Sequence, residues 1–131
     1  MRILIADDNA AIRRGVTTIL SGKENWQVCG EAVNGEEAIQ KARELRPDLI
    51  LLDISMPGLS GMEAARVLSA EAVQAKILII SQHDPVQLLP RVIEAGAYGC
   101  VDKNRLAMDL VPAIEEIEKK FTGRQSIAPL T

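Results

Sequence analysis

A chain of 131 residues, 47% hydrophobic and 25% charged, is long enough to bury the core of one globular domain. Its net charge of −3 and pI near 5.2 argue against non-specific nucleic-acid binding as the main task of this segment. Trp26, Tyr98 and Phe121 are too few aromatics for a single-strand stacking platform, and no apolar run reaches the roughly 18 residues of a membrane span. With no charged leader before a long apolar stretch, a soluble, cytoplasmic protein is expected.

The pattern alternates short apolar runs with helical stripes. Residues 3–6 predict a strand, and 10–20 a helix with Ile12, Val16, Ile19 and Leu20 in register and Asn9 as its N-cap. Residues 26–33 predict a second strand. Asn34 then caps a helix that carries Glu36 and Glu37 in its first turn, buries Ala38, Ala42 and Leu45, and stops at Pro47. The run at 49–52 lacks alternation, as a strand covered on both faces would.

Pro57, Gly58 and Gly61 predict a turn before a third helix, which buries Met62, Ala65, Leu68 and Ala72. Residues 77–80 are the fourth strand, 85–95 the fourth helix, 98–101 a short fifth strand and 106–120 the last helix. Pro90 marks the fourth helix as weak, and Pro112 is expected near a later start of the fifth. Five βα units imply a parallel sheet with helices on both faces. Cys29 and Cys100 sit in strand-like runs without a CxxC or histidine partner and read as small buried hydrophobes.

Four of these strands end on polar groups. ILIA leads into Asp7 and Asp8, LILL into Asp53, ILII into Ser81, and YGCVD into Lys103. The carboxyl ends of strands in an open parallel sheet share one edge, where ligands bind, so these residues should converge. Each alone reads blandly: a capping acidic pair, a strand-end hydroxyl, a solvated lysine. Three carboxylates together cannot all ionise unaided and call for a divalent cation. An aspartate nucleophile, Mg²⁺ or Mn²⁺, a lysine and a hydroxyl suit phosphoryl transfer onto a carboxylate. Other nucleotide or hydrolase motifs, such as a Gly-rich phosphate loop, GxSxG or HExxH, do not occur.

The ordered motifs ILIADDN at 3–9, LLDISMPGLSG at 51–61, IISQHD at 79–84 and GAYGCVDKN at 96–104 resemble the receiver domains of bacterial response regulators. The resemblance covers residues 1–121, leaving 122–131 (TGRQSIAPLT) as a linker or frayed tail. It implies a flavodoxin-like (βα)5 three-layer sandwich with sheet order 2-1-3-4-5. It further implies Asp53 as phosphoacceptor, and Asp7, Asp8, Asp53 and the Ser55 backbone carbonyl as Mg²⁺ ligands. Ser81 would be the switch hydroxyl and Lys103 the phosphate-binding lysine, while Ser55 and His83 would flank the path of hydrolytic water. Histidine as a residue type changes charge near neutral pH, so His83 is a candidate for tuning the lifetime of the phosphorylated state.

Two departures stand out. The family's aromatic switch position holds Cys100, with Tyr98 two places earlier and expected on the same face. Asn104 follows Lys103 where a proline is common, which leaves the shape of that loop open. VCGEAVNGEEA at 28–38 is similar to the NarL/FixJ type, whose members carry a C-terminal LuxR-type DNA-binding domain. The expected partners are a sensor histidine kinase, a second copy on phosphorylation, and DNA only through a domain outside this chain. A solitary receiver is the alternative; an aspartyl-phosphate phosphatase is disfavoured because Ser55 occupies the position of its second acid.

Overall fold

The alternating pattern resolves, in the computed structural model, into five consecutive βα units. The structure describes the backbone of residues 1–71 and 74–127 and the side chains of residues 1–71 and 74–120. In chain order the elements are β1 (Arg2–Ala6), α1 (Ala10–Leu20), β2 (Gln27–Ala32), α2 (Gly35–Leu45), β3 (Leu49–Asp53), α3 (Gly61–Ala70), β4 (Lys76–Ser81), α4 (Pro85–Glu94), β5 (Gly99–Asp102) and α5 (Leu106–Ile127). The five strands form one parallel sheet in the order 2-1-3-4-5. The order reverses between β1 and β3, which opens a crevice at their carboxyl ends.

Pleat alternation sorts the core into two layers. Ile3, Ile5, Leu49 and Leu51 face one side, where Val16 and Leu20 of α1 meet Leu110 and Ile114 of α5. Leu4, Ala6, Ile50 and Leu52 face the other, packed by Ala38 of α2, Leu68 of α3 and Val92 of α4. Every residue of β3 is buried, because it lies between β1 and β4 with helices on both faces. This is why its sequence runs apolar without alternation.

The helix ends follow their local chemistry. The Asn9 side chain accepts from the Ala11 and Ile12 amides, and Asn34 accepts from Glu37. α2 ends with Arg46 in the left-handed region (φ 48°) directly before Pro47. Ser60 and Glu63 form a reciprocal capping box at the start of α3. Met62, Ala65 and Leu68 are buried as expected, while Ala72 and the Phe121 side chain lie outside the described residues.

One expectation about the prolines is revised, that for Pro112. α4 continues through Pro90, and Pro112 lies well inside α5 rather than near its start. Each proline deprives the carbonyl four residues earlier of its N–H partner. Those residues are Val86, 79% exposed, and Met108, 68% exposed, so water can satisfy both carbonyls and the helices persist. α5 also continues to Ile127, past the expected boundary at residue 121; residues 128–131 of the expected linker lie outside the described residues.

The cysteines occupy the two opposite edge strands, β2 and β5. Four strand spacings, about 19 Å, separate those edges, so the two thiols cannot pair within one molecule. Both are free and half-buried against the same core layer. Burial, with a smaller push from the Asp102 charge, raises the Cys100 thiol to about 11.

Candidate functional site

Strand register assembles the site. Asp7 and Asp8 follow β1, Asp53 closes β3, Ser81 closes β4, and Lys103 follows β5. Ala6 pairs with Leu52, which sets Asp7 and Asp53 abreast at the sheet edge. Ser81 pairs with Asp102, one residue before Lys103.

Asp7 and Asp53 are buried, at 1% and 2% exposure. The Lys103 ammonium lies 2.9 Å from Asp7 Oδ2 and 3.2 Å from Asp53 Oδ2. Each carboxylate turns its other oxygen to nearby backbone: Asp7 Oδ1 accepts from the Asn9 amide at 2.8 Å, and Asp53 Oδ1 from the Ser55 amide at 3.2 Å. Although both Oδ2 atoms are ion-paired to Lys103, neither receives a well-aligned hydrogen bond. Asp8 is exposed, and carboxylate oxygens of all three aspartates lie within 4.8 Å of one another.

Burial, and then the negative charge of Asp7, hold the Asp53 carboxyl above its ordinary pKa; the Ser55 amide and Lys103 offset this in part. Burial works against the Lys103 ammonium, but Asp7 and Asp53 outweigh it and raise its pKa. One ammonium therefore serves two buried carboxylates. Buried carboxylate oxygens without hydrogen bonds, beside an exposed third carboxylate, are hard donors that fit a small divalent cation.

The cleft above these groups is about 490 Å³ and is lined by Asp8, Asn9, Asp53, Ile54, Ser55, Gln82, His83 and Lys103. Asp7 and Ser81 are not on its surface. Ser81 is fully buried behind the wall, with its hydroxyl oxygen accepting from the His83 amide at 2.9 Å. His83 and Ser55 both line the cleft. Asn9, Ile54 and Gln82 were not singled out from sequence as lining residues; each directly follows a strand-end residue that was.

The loop from Asp53 to α3 requires two glycines. A Cβ at Gly61 would overlap the Asp53 carbonyl, and Gly58 adopts φ +72° against the Glu36 carboxylate. Gly61 also donates to the Ile54 carbonyl at 3.1 Å, closing the loop that presents Ser55.

The expected shared face of Tyr98 and Cys100 does not occur. Cys100 packs against the layer that includes α4, whereas Tyr98 packs against the α1 and α5 layer. Its hydroxyl lies 3.5 Å from Glu116, and the Lys120 ammonium sits 5.0 Å from its ring centroid. Tyr98 precedes β5, so strand alternation does not fix its direction.

Residues 3–115 match the response regulator receiver domain family, and the chain belongs to that family. It is 36% identical over 129 residues to the response regulator GacA of Pseudomonas viridiflava, covering 98% of this chain and 59% of the relative. Against the oxygen regulatory protein NreC of Staphylococcus epidermidis, identity is 40% over 118 residues, covering 89% and 54%. The signal receiver domain of NarL from Mycobacterium tuberculosis superposes with a TM-score of 0.83 at 30% identity, covering 90% of this chain and 95% of that one. The chain thus spans about 59% of the length of GacA, and it is a receiver domain of the two-component type. Among the described residues no helix is long and apolar enough to cross a membrane.

Proposed function

We propose that Asp53 accepts a phosphoryl group from the phosphohistidine of a sensor histidine kinase. The observation that carries this reading is the Lys103 ammonium held between the buried Asp53 and Asp7 carboxylates beneath an open cleft. An Asp53 oxygen bonds to phosphorus as the bond from phosphorus to the donor's imidazole nitrogen breaks, and the histidine is released. Mg²⁺, or Mn²⁺, bound by Asp7, Asp8, Asp53 and the Ser55 carbonyl would neutralise charge on the phosphoryl oxygens. Lys103 holds one of those oxygens, which moves its charge from the carboxylate pair to the new acyl phosphate. The Ser81 hydroxyl exchanges the His83 amide for a second phosphoryl oxygen, coupling β4 and its following loop to the site.

This is signalling chemistry: the domain turns over no substrate beyond its own acceptor, and its output is a changed surface. Incubation with acetyl phosphate and Mg²⁺ is expected to add one phosphoryl mass to the wild type and none to Asp53→Ala. Equal labelling of both proteins would rule out Asp53.

The partner surface is drawn from α4, where Leu88 and Val92 are buried while Val86, Leu89 and Ile93 are exposed, with Met108 of α5 exposed as well. Phosphorylation is expected to shift the protein toward a dimer in sedimentation; an unchanged monomer would remove self-association as the output. We read the chain up to about residue 121 as the receiver unit, with α5 running on to Ile127 toward a C-terminal DNA-binding domain of the kind carried by NarL/FixJ-type members.

His83 bears on lifetime, since it lines the same cleft as Asp53 and Ser55. The dephosphorylation time course of His83→Ala is expected to differ several-fold in rate from wild type. Identical rates would leave His83 without a part in hydrolysis.

A further inference from the structure

Arg13 ties three elements together beside the acidic pair. Its Nη1 donates to the backbone carbonyl of Asp7 at 2.6 Å, and its Nε donates to Glu31 Oε1 of β2 at 2.8 Å. Its own amide makes a first-turn bond of α1, to the Asn9 carbonyl, at 3.1 Å. The side chain is 15% exposed against 48% for Glu31, so the guanidinium is sunk into the turn and its partner lies at the rim. Asp7 is also held by its amide, which donates to the Ala32 carbonyl of β2 at 3.0 Å.

The Asp7 carbonyl and the Asp8 amide belong to one rigid peptide plane. A grip on that carbonyl therefore sets the direction in which Asp8, the exposed member of the acidic trio, leaves the strand. We propose that Arg13 is a positioning residue for the cation site: oriented by Glu31, it fixes the Asp7–Asp8 peptide and so raises affinity for a divalent cation. The proposal rests on the reading of Asp7, Asp8 and Asp53 as cation ligands.

Charge alone argues the other way, which makes the sign of the effect decisive. A guanidinium near a cation site repels the cation, so deleting it should tighten binding if electrostatics dominates. Deleting it should weaken binding if positioning dominates. Lysine supplies the charge but not the fork that serves two acceptors at once.

The test is Mg²⁺ titration of the full chain by calorimetry, with amide exchange of Asp8 and Asn9 measured in metal-free buffer. Arg13→Ala is expected to weaken Mg²⁺ binding about 10-fold, or ~1.4 kcal/mol, and to speed exchange at both amides without metal. Arg13→Lys should fall between alanine and wild type. Glu31→Gln, a change at the rim, should give a smaller loss and add nothing to Arg13→Ala. Unchanged or tighter binding in Arg13→Ala, with Asp8→Asn still weakened, would overturn the proposal alone. Mg²⁺ binding indifferent to both Asp8→Asn and Arg13→Ala would overturn the cation reading and this proposal with it.

Discussion

Lys103→Ala should cost more stability than any surface substitution in this chain, about 2–3 kcal/mol in metal-free buffer near neutral pH. Removing one partner of a buried ion pair typically costs ~3–5 kcal/mol; the open cleft admits water and lowers that figure. Here the deletion leaves two carboxylates, 1% and 2% exposed, without their shared counter-charge. For a domain of this size the melting temperature should fall on the order of 10 °C. The loss should shrink as pH falls through the raised pKa of Asp53, whose protonated carboxyl no longer needs the ammonium. Mg²⁺ should restore part of it by mass action. Lys119→Ala, at an exposed position, is the control and should stay within about 0.5 kcal/mol. Equal melting of the two variants would remove Lys103 from the electrostatics of the site.

Asp53→Asn is expected to act in the opposite direction. Because burial and Asp7 raise its pKa, the folded protein binds the Asp53 proton more tightly than the unfolded chain does. The stability this contributes is present below about pH 4 and is lost as pH rises through the raised value. Near neutral pH the ionised side chain is therefore a liability, one that a binding site retains for function. Asparagine keeps the shape without the charge and leaves Lys103 paired with Asp7. The variant should gain ~0.5–2 kcal/mol in metal-free buffer, with a flatter pH profile above about 4, and should lose most of the Mg²⁺-induced stabilisation. Chemical denaturation with and without Mg²⁺ checks both statements. A destabilised variant with an unchanged Mg²⁺ response would contradict this picture of the site.

Much of this fold was legible because the apolar runs are short and each ends on a residue of a different chemical kind. Asp7, Asp53, Ser81 and Lys103 mark where strands stop, and parallel order brings those ends to one edge. Asn9 and Asn34 were readable as caps, since a side-chain acceptor before a helix has little else to do. What escaped depended on tertiary context. Periodicity gave α4 its apolar residues but not which are covered; Leu88 and Val92 are, while Val86 and Ile93 are not. Pro112 read as a helix boundary because a sequence does not show that the orphaned carbonyl belongs to the exposed Met108. Tyr98 was assigned a face by strand alternation although the strand begins one residue later. The pairing of Arg13 with Glu31 joins a helix to a neighbouring strand, and no local pattern announces it.

The most direct measurement locates the phosphoryl group itself. Wild-type protein phosphorylated with acetyl phosphate and Mg²⁺, reduced with borohydride and digested, should carry homoserine in place of aspartate at position 53 alone, and chelation of Mg²⁺ before phosphorylation should abolish the product. Homoserine at position 7 or 8, or undiminished labelling in chelator, would contradict Asp53 as the metal-dependent acceptor.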